Sequence, residues 1–113
     1  MQRKVLIIDD EVDLCLLVKT HLRKLDYSVS IAHTLNDGLL QLQLAKPDIL
    51  LLDNNLPDGT GWSKVEYINN NFPGMNIILI SAVSSGHEFY QTLQLPFRVM
   101  EKPIQLADLE KYL

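Results

Sequence analysis

Short, unbroken apolar runs alternate along this chain with segments whose apolar positions recur every three or four residues. Val5 to Ile8 (VLII), Ile49 to Leu52 (ILLL) and Asn76 to Ser81 (NIILIS) lack polar alternation. Such runs predict strands buried on both faces. Tyr27 to Ala32 alternates and predicts a weaker strand nearer an edge, and Phe97 to Glu101 predicts a last one. From Glu11 to Leu25 the residues Leu14, Val18, Leu22 and Leu25 fall at helical spacing. Acidic residues fill the first turn of that segment and Lys19, Arg23 and Lys24 its later turns, the polarity a helix dipole favours. Thr34 followed by Asp37 resembles a capping box opening a helix through Leu44, with Leu39 and Leu42 inward. Gly61 to Phe72 puts Trp62, Val65, Ile68 and Phe72 on one face and stops at Pro73-Gly74. A weak pattern predicts a helix from Ser84 to Leu95, and a final helix runs from Gln105 to Leu113.

Strands alternating with helices imply βαβ units with right-handed crossovers. The expected fold is α/β: a single doubly wound five-stranded parallel sheet with helices on both faces. With no repeat, low-complexity tract or Ser/Gly linker, residues 1–113 are expected to form one domain. Polar residues follow the apolar runs: Asp9 and Asp10 after the first, Asp53 after the third, Ser81 after the fourth, Lys102 after the fifth. All would gather at the carboxyl edge of the sheet, where parallel α/β sheets place their ligands.

Composition narrows the partners. The chain is 47% apolar and 21% charged with net charge −4, an ordinary globular balance. A mildly acidic domain lacks the basic footprint that phosphate backbones require, which argues against direct nucleic-acid binding. No apolar run approaches the ~20 residues of a membrane span, and the N-terminus carries no signal-peptide core, so the expectation is a cytoplasmic domain with no membrane partner. The single Cys15 cannot form an internal disulfide and reads as a buried structural thiol. His21, His33 and His87 are scattered and read as structural or solvent-facing, with none near the strand-end cluster. Gly59 and Gly61 do not make a P-loop, because the Lys-Ser/Thr ending is missing. Trp62 heads a packing stripe.

Three carboxylates close together cannot all stay ionised without a cation. All-oxygen ligands at a shallow site favour magnesium, which takes one or two carboxylates and keeps several waters. Asp10 and Asp53 would supply the carboxylates, Asp9 would hold a coordinated water, and the backbone carbonyl of Asn55 would complete the protein ligands. Lys102 adds a fixed ammonium and Ser81 a hydroxyl. Together these form a cage for a phosphoryl group in transfer, a reaction catalysed chiefly by positioning and charge neutralisation. Asp53 is then the nucleophile, giving an aspartyl phosphate.

The joint arrangement resembles the receiver domain of two-component response regulators over essentially the whole chain. An acidic pair follows strand one, D-x-N-x-P-x-x-x-G (Asp53, Asn55, Pro57, Gly61) follows strand three, Ser81-Ala82 strand four, and Lys102-Pro103 strand five. The resemblance implies that Asp53 is the phosphoacceptor, Asp9 and Asp10 the acidic pair, Ser81 the switch hydroxyl and Lys102 the contact to the phosphoryl group. It further implies the flavodoxin-like sheet order 2-1-3-4-5, and a sensor histidine kinase or histidine phosphotransfer protein as phosphodonor. An output domain or protein of unknown kind would read the switch, and a homodimer would form through the face of the fourth helix, fifth strand and fifth helix.

The chain departs from that pattern in places. Val99 stands where receivers commonly carry Phe or Tyr, with Phe97 and Tyr90 nearby but not equivalent. Leu95-Pro96 replaces the usual Gly-Ala, and Ile104 stands where an aromatic often follows Lys-Pro. The final helix is short for the family: either it is truncated, or more protein follows. Two other readings stand beside the switch. A magnesium-dependent phosphohydrolase with an aspartate nucleophile would carry a second Asp where Asn55 stands. A receiver fold serving only for docking would fit the altered switch aromatic. The expectation is a domain that promotes its own phosphorylation and dephosphorylation without turning over a separate substrate.

Overall fold

The computed structural model describes residues 2–82 and 97–113. The helix expected over Ser84 to Leu95 falls outside them, as do His87, Tyr90 and Leu95-Pro96. The described elements are β1 (Lys4–Ile8), α1 (Val12–Lys24), β2 (Ser28–Ala32), α2 (Leu35–Ala45), β3 (Ile49–Asp53), β4 (Asn55–Leu56), β5 (Gly59–Thr60), a 3-10 turn (Gly61–Lys64), α3 (Val65–Asn71), β6 (Asn76–Ser81), β7 (Arg98–Glu101) and α4 (Leu106–Tyr112).

Five strands form one sheet in the order β2-β1-β3-β6-β7, and every pairing within it is parallel. With the small β4–β5 ribbon set aside, this is the expected order 2-1-3-4-5. The alternating strand geometry sorts the core into two layers. Leu6, Ile8, Leu50, Leu52, Ile77 and Leu79 face α2 and α3, packing with Leu35, Leu42, Trp62, Val65 and Ile68. Val5, Ile7, Ile49, Leu51, Ile78 and Ile80 face α1 and α4, packing with Cys15, Val18, Leu22 and Leu109. A strand covered on both faces has no use for a polar residue, which is why β3 reads ILLL without alternation. Each of those four side chains is at most 1% exposed and contributes about 1.5–3 kcal/mol by its burial.

The helices follow the expected faces with one exception. Cys15 is fully buried, as expected, but Leu25 is 40% exposed, because it caps α1 instead of lying within it. Thr34 caps α2 as expected, its side chain accepting from the Asp37 amide at 3.1 Å. The segment expected as one helix over Gly61–Phe72 begins as the 3-10 turn, which seats Trp62 in the core before α3 starts. The ribbon of β4 and β5 was not anticipated. Its paired Asn55–Thr60 and Leu56–Gly59 fold the loop after β3 back on itself.

Candidate functional site

Strand register assembles the site. Ile8 lies opposite Leu52 and Asp53 opposite Ile80, so the residues that end β1, β3 and β6 arrive at one edge. The Asp9 amide donates to the Ala32 carbonyl at 3.0 Å, and the Lys102 amide to the Ser81 carbonyl at 2.8 Å. These bonds extend the ladder one residue past the strands and fix where both side chains start. Asp9, Asp10 and Asp53 converge, each offering a carboxylate oxygen within 4.8 Å of the others.

Asp9, Asp53 and Ser81 are buried, and Asp10 is exposed at the rim. Lys102 Nζ reaches three carboxylates: Asp9 and Glu11 at 3.3 Å each, and Asp53 at 3.5 Å. One ammonium is thus shared among several negative charges. Asp9 Oδ1 also accepts from the Glu11 amide at 2.9 Å, but Asp9 Oδ2 and both Asp53 oxygens have no hydrogen-bond donor of good geometry. The electrostatics follow. Burial pushes the Asp53 carboxyl up to about 6, the Asp9 charge adds to the rise, and Lys102 opposes it. Burial likewise raises Asp9, against the Glu11 amide and Lys102. Burial works against the Lys102 charge, yet Asp9, Asp53 and Glu11 outweigh it and hold its pKa above the ordinary value.

Buried, donor-poor carboxylate oxygens beside an exposed carboxylate are the donor set that a hard divalent cation satisfies. The residues present therefore fit magnesium. Asn55, exposed at the start of the ribbon, follows two residues after Asp53. Glycine shapes this rim: a Cβ on Gly61 would collide with the Asp53 carbonyl and lie 2.9 Å from Leu52 Cδ1. The Asn54 side chain accepts from the Trp62 amide at 3.2 Å, and its carbonyl from Gly61 at 3.0 Å, closing the loop over β3. Ser81 Oγ donates to the Ala82 carbonyl at 2.6 Å.

Two residues of this region escaped the sequence reading. His33 was expected away from the site, yet its Nδ1 lies 2.9 Å from the Asp9 carbonyl, because β2 ends beside β1 in the sheet. Asp58 falls at an unspecified position of the stretch from Asp53 to Gly61 and carries no signal of its own in that motif. Its carboxylate accepts from the Leu35 amide at 2.7 Å and the Asn36 amide at 2.9 Å, capping α2 from a distant segment. Those bonds hold its carboxyl below the ordinary range. An Asp after Pro57 signals a turn; nothing local signals which helix it reaches. His21 instead joins α1 to α4 through Glu110 at 3.5 Å. Among the described residues no helix is long and apolar enough to cross a membrane.

A family model described as the response regulator receiver domain matches residues 5–113. The chain is 30% identical over 111 residues to the response regulator protein PilR of Pseudomonas aeruginosa, covering 97% of this chain and 25% of that protein. It is 33% identical over 111 residues to the KDP operon transcriptional regulatory protein KdpE of Escherichia coli, covering 90% of this chain and 48% of that one. It therefore spans less than half the length of these two relatives. A CheY-like response regulator receiver domain protein from Methanospirillum hungatei is similar in structure. The TM-score is 0.88 at 26% identity, covering 98% of this chain and 90% of that one.

Proposed function

The chain belongs to the response regulator receiver domain family, and from that membership we propose a phosphorylation-dependent switch of a two-component system with Asp53 as phosphoacceptor. The observation that supports this most is the Asp53 carboxylate itself: buried, without a good donor, and ringed by Asp9, Asp10 and Lys102. A group so placed is poorly stabilised at rest and better neutralised once it shares a cation and a lysine with a phosphoryl group.

On this reading the donor is a phosphohistidine of a sensor histidine kinase or phosphotransfer protein. An Asp53 oxygen attacks phosphorus, the phosphorus–nitrogen bond breaks, and its electron pair leaves with the imidazole. Asp10, Asp53 and the Asn55 carbonyl would hold Mg2+, with Asp9 acting through a water; bound there, the ion neutralises charge on the transferring oxygens. Lys102 contacts the phosphoryl group from the other side. Ser81 exchanges its bond to the Ala82 carbonyl for one to the phosphoryl group. The added charge of about −1.5 to −2 thereby biases the surface around Val99 on β7.

Residues 1–113 form one receiver domain on this reading, working in the cytoplasm with an output domain or protein as its reader. It promotes its own phosphorylation and dephosphorylation and turns over no separate substrate. The test is intact mass after incubation with magnesium and a small phosphodonor, wild type beside Asp53→Asn. An adduct that forms once per chain, decays slowly and needs Asp53 supports the switch. Continuous phosphate release would make the domain a hydrolase, and no adduct would make it a docking module.

A further inference from the structure

Asp58 sits at the turn of the ribbon, between β4 and β5, yet both of its oxygens are spent on α2. They accept from Leu35 and Asn36 at 2.7 and 2.9 Å, and Thr34 takes the third free amide, that of Asp37, at 3.1 Å. The Leu35 side chain closes the same contact, its Cδ2 lying 3.3 Å from where a Cβ of Gly59 would stand. From the start of α2 the chain leads back to the end of β2, which lies beside the end of β1 in the sheet. The His33 ring lies 2.9 Å from the Asp9 carbonyl, and the Ala32 carbonyl accepts the Asp9 amide at 3.0 Å. A closed path therefore runs from Asp53 through the ribbon to Asp58, across to Leu35, and through His33 to Asp9.

We propose that Asp58 is a positioning residue: by clamping the ribbon to α2 it holds Asn55 and Asp9 in their mutual placement for the cation. This deepens the proposed function and rests on its assignment of both residues to the metal. A helix cap alone would need no partner 22 or 23 residues away, since Thr34 is already at hand. The carboxylate gains its hold from two charge-assisted bonds to helix amides, the stronger class of hydrogen bond.

The test compares Asp58→Ala with Thr34→Ala, which removes the helix's own cap and leaves the ribbon contact intact. Magnesium alone is titrated by calorimetry, and exchange of the Gly61 amide, bonded to the Asn54 carbonyl, is followed by NMR. Asp58→Ala is expected to raise the magnesium dissociation constant at least threefold and to speed Gly61 exchange. Thr34→Ala is expected to lower the unfolding temperature while leaving both readings at wild-type values. Asp58→Asn, retaining one acceptor oxygen, falls between and serves if the alanine variant does not fold. Unchanged affinity and unchanged Gly61 exchange in the Asp58 variants would overturn the clamp, as would equal effects in Thr34→Ala. A wild-type protein that binds no magnesium would sink the metal assignment instead, and Gly61 exchange alone would then decide the clamp.

Discussion

Gly61 lies against the carbonyl of Asp53 so closely that the site has no room for a side chain there. The glycine eight residues after the central aspartate is thus a steric requirement of the loop closure over β3. The Asn54 carbonyl accepts from the Gly61 amide and completes that closure.

Replacing Gly61 with Ala forces either the β3 carbonyl or the rim loop to move, because the nearest obstacle is backbone. The expected cost is about 1–3 kcal/mol of stability, the range for overpacking a well-filled site. Urea denaturation of Gly61→Ala beside wild type checks it. A change below a few tenths would show that the loop absorbs the methyl group. Gly38→Ala is a second overpacking test, of side chain instead of backbone. Its added Cβ would collide with Ile8 Cδ1 and lie 2.8 Å from Cγ1 of that fully buried, β-branched side chain, so a loss of stability is expected there too.

The raised Asp53 pKa makes metal-free stability depend on pH with a definite sign. Its carboxyl stands at about 6 when folded against an ordinary 3.8, so the folded chain binds this proton more tightly. The stabilisation is fully present below the unfolded value and is lost as pH rises through about 6. The whole swing from this group is on the order of 3 kcal/mol, and Asp9, raised likewise, acts in the same direction. Denaturant midpoints from pH 4 to 7 in chelator should fall, and Asp53→Asn should flatten the curve. A flat wild-type curve would contradict the electrostatic account of the site.

At pH 7 without magnesium, Asp53→Asn should be more stable than wild type by about 1–3 kcal/mol, since it removes a buried charge that is poorly paired. Added magnesium should narrow that difference, because a ligand that binds the native ionised site stabilises wild type by mass action. Thermal melts with and without the ion give the comparison.

Lys102→Met should act in the opposite sense. It leaves Asp9, Glu11 and Asp53 without the ammonium that all three share. Removing one partner of a buried charge pair costs about 3–5 kcal/mol; Lys102 is partly exposed, so the low end is expected. Lowering the pH or adding magnesium should recover part of the loss. Recovery by neither would mean that Lys102 acts by packing and not by charge.

Cys15 should resist thiol reagents in the native state and react fully in denaturant. It is completely buried, its Sγ lies 3.4 Å from the Asp9 carbonyl it donates to, and burial pushes the thiol up to about 12. Rapid labelling of the folded protein would show that α1 opens more readily than its packing implies.

Much of this molecule is written in local pattern. The unbroken ILLL run announces a strand covered on both faces, and the polar residues ending the strands announce one carboxyl edge. Asp9, Asp53, Ser81 and Lys102 could be named from the chain because strand ends are local features, and a parallel sheet brings all such ends to one side. Cys15 is buried as expected, but helical spacing alone put Leu25 inward, whereas the helix stops short of it and leaves it exposed. The ring of His33 on Asp9 and the reach of Asp58 to α2 pair residues 22 to 24 apart. No local propensity encodes such pairings; they exist once β2, β1 and β3 lie side by side. The same holds for the raised Asp53 carboxyl. Local pattern places an aspartate at the end of the central strand; its burial, its lack of donors and the lysine it shares with its neighbours exist only once the strands and the Lys102 loop are assembled around it.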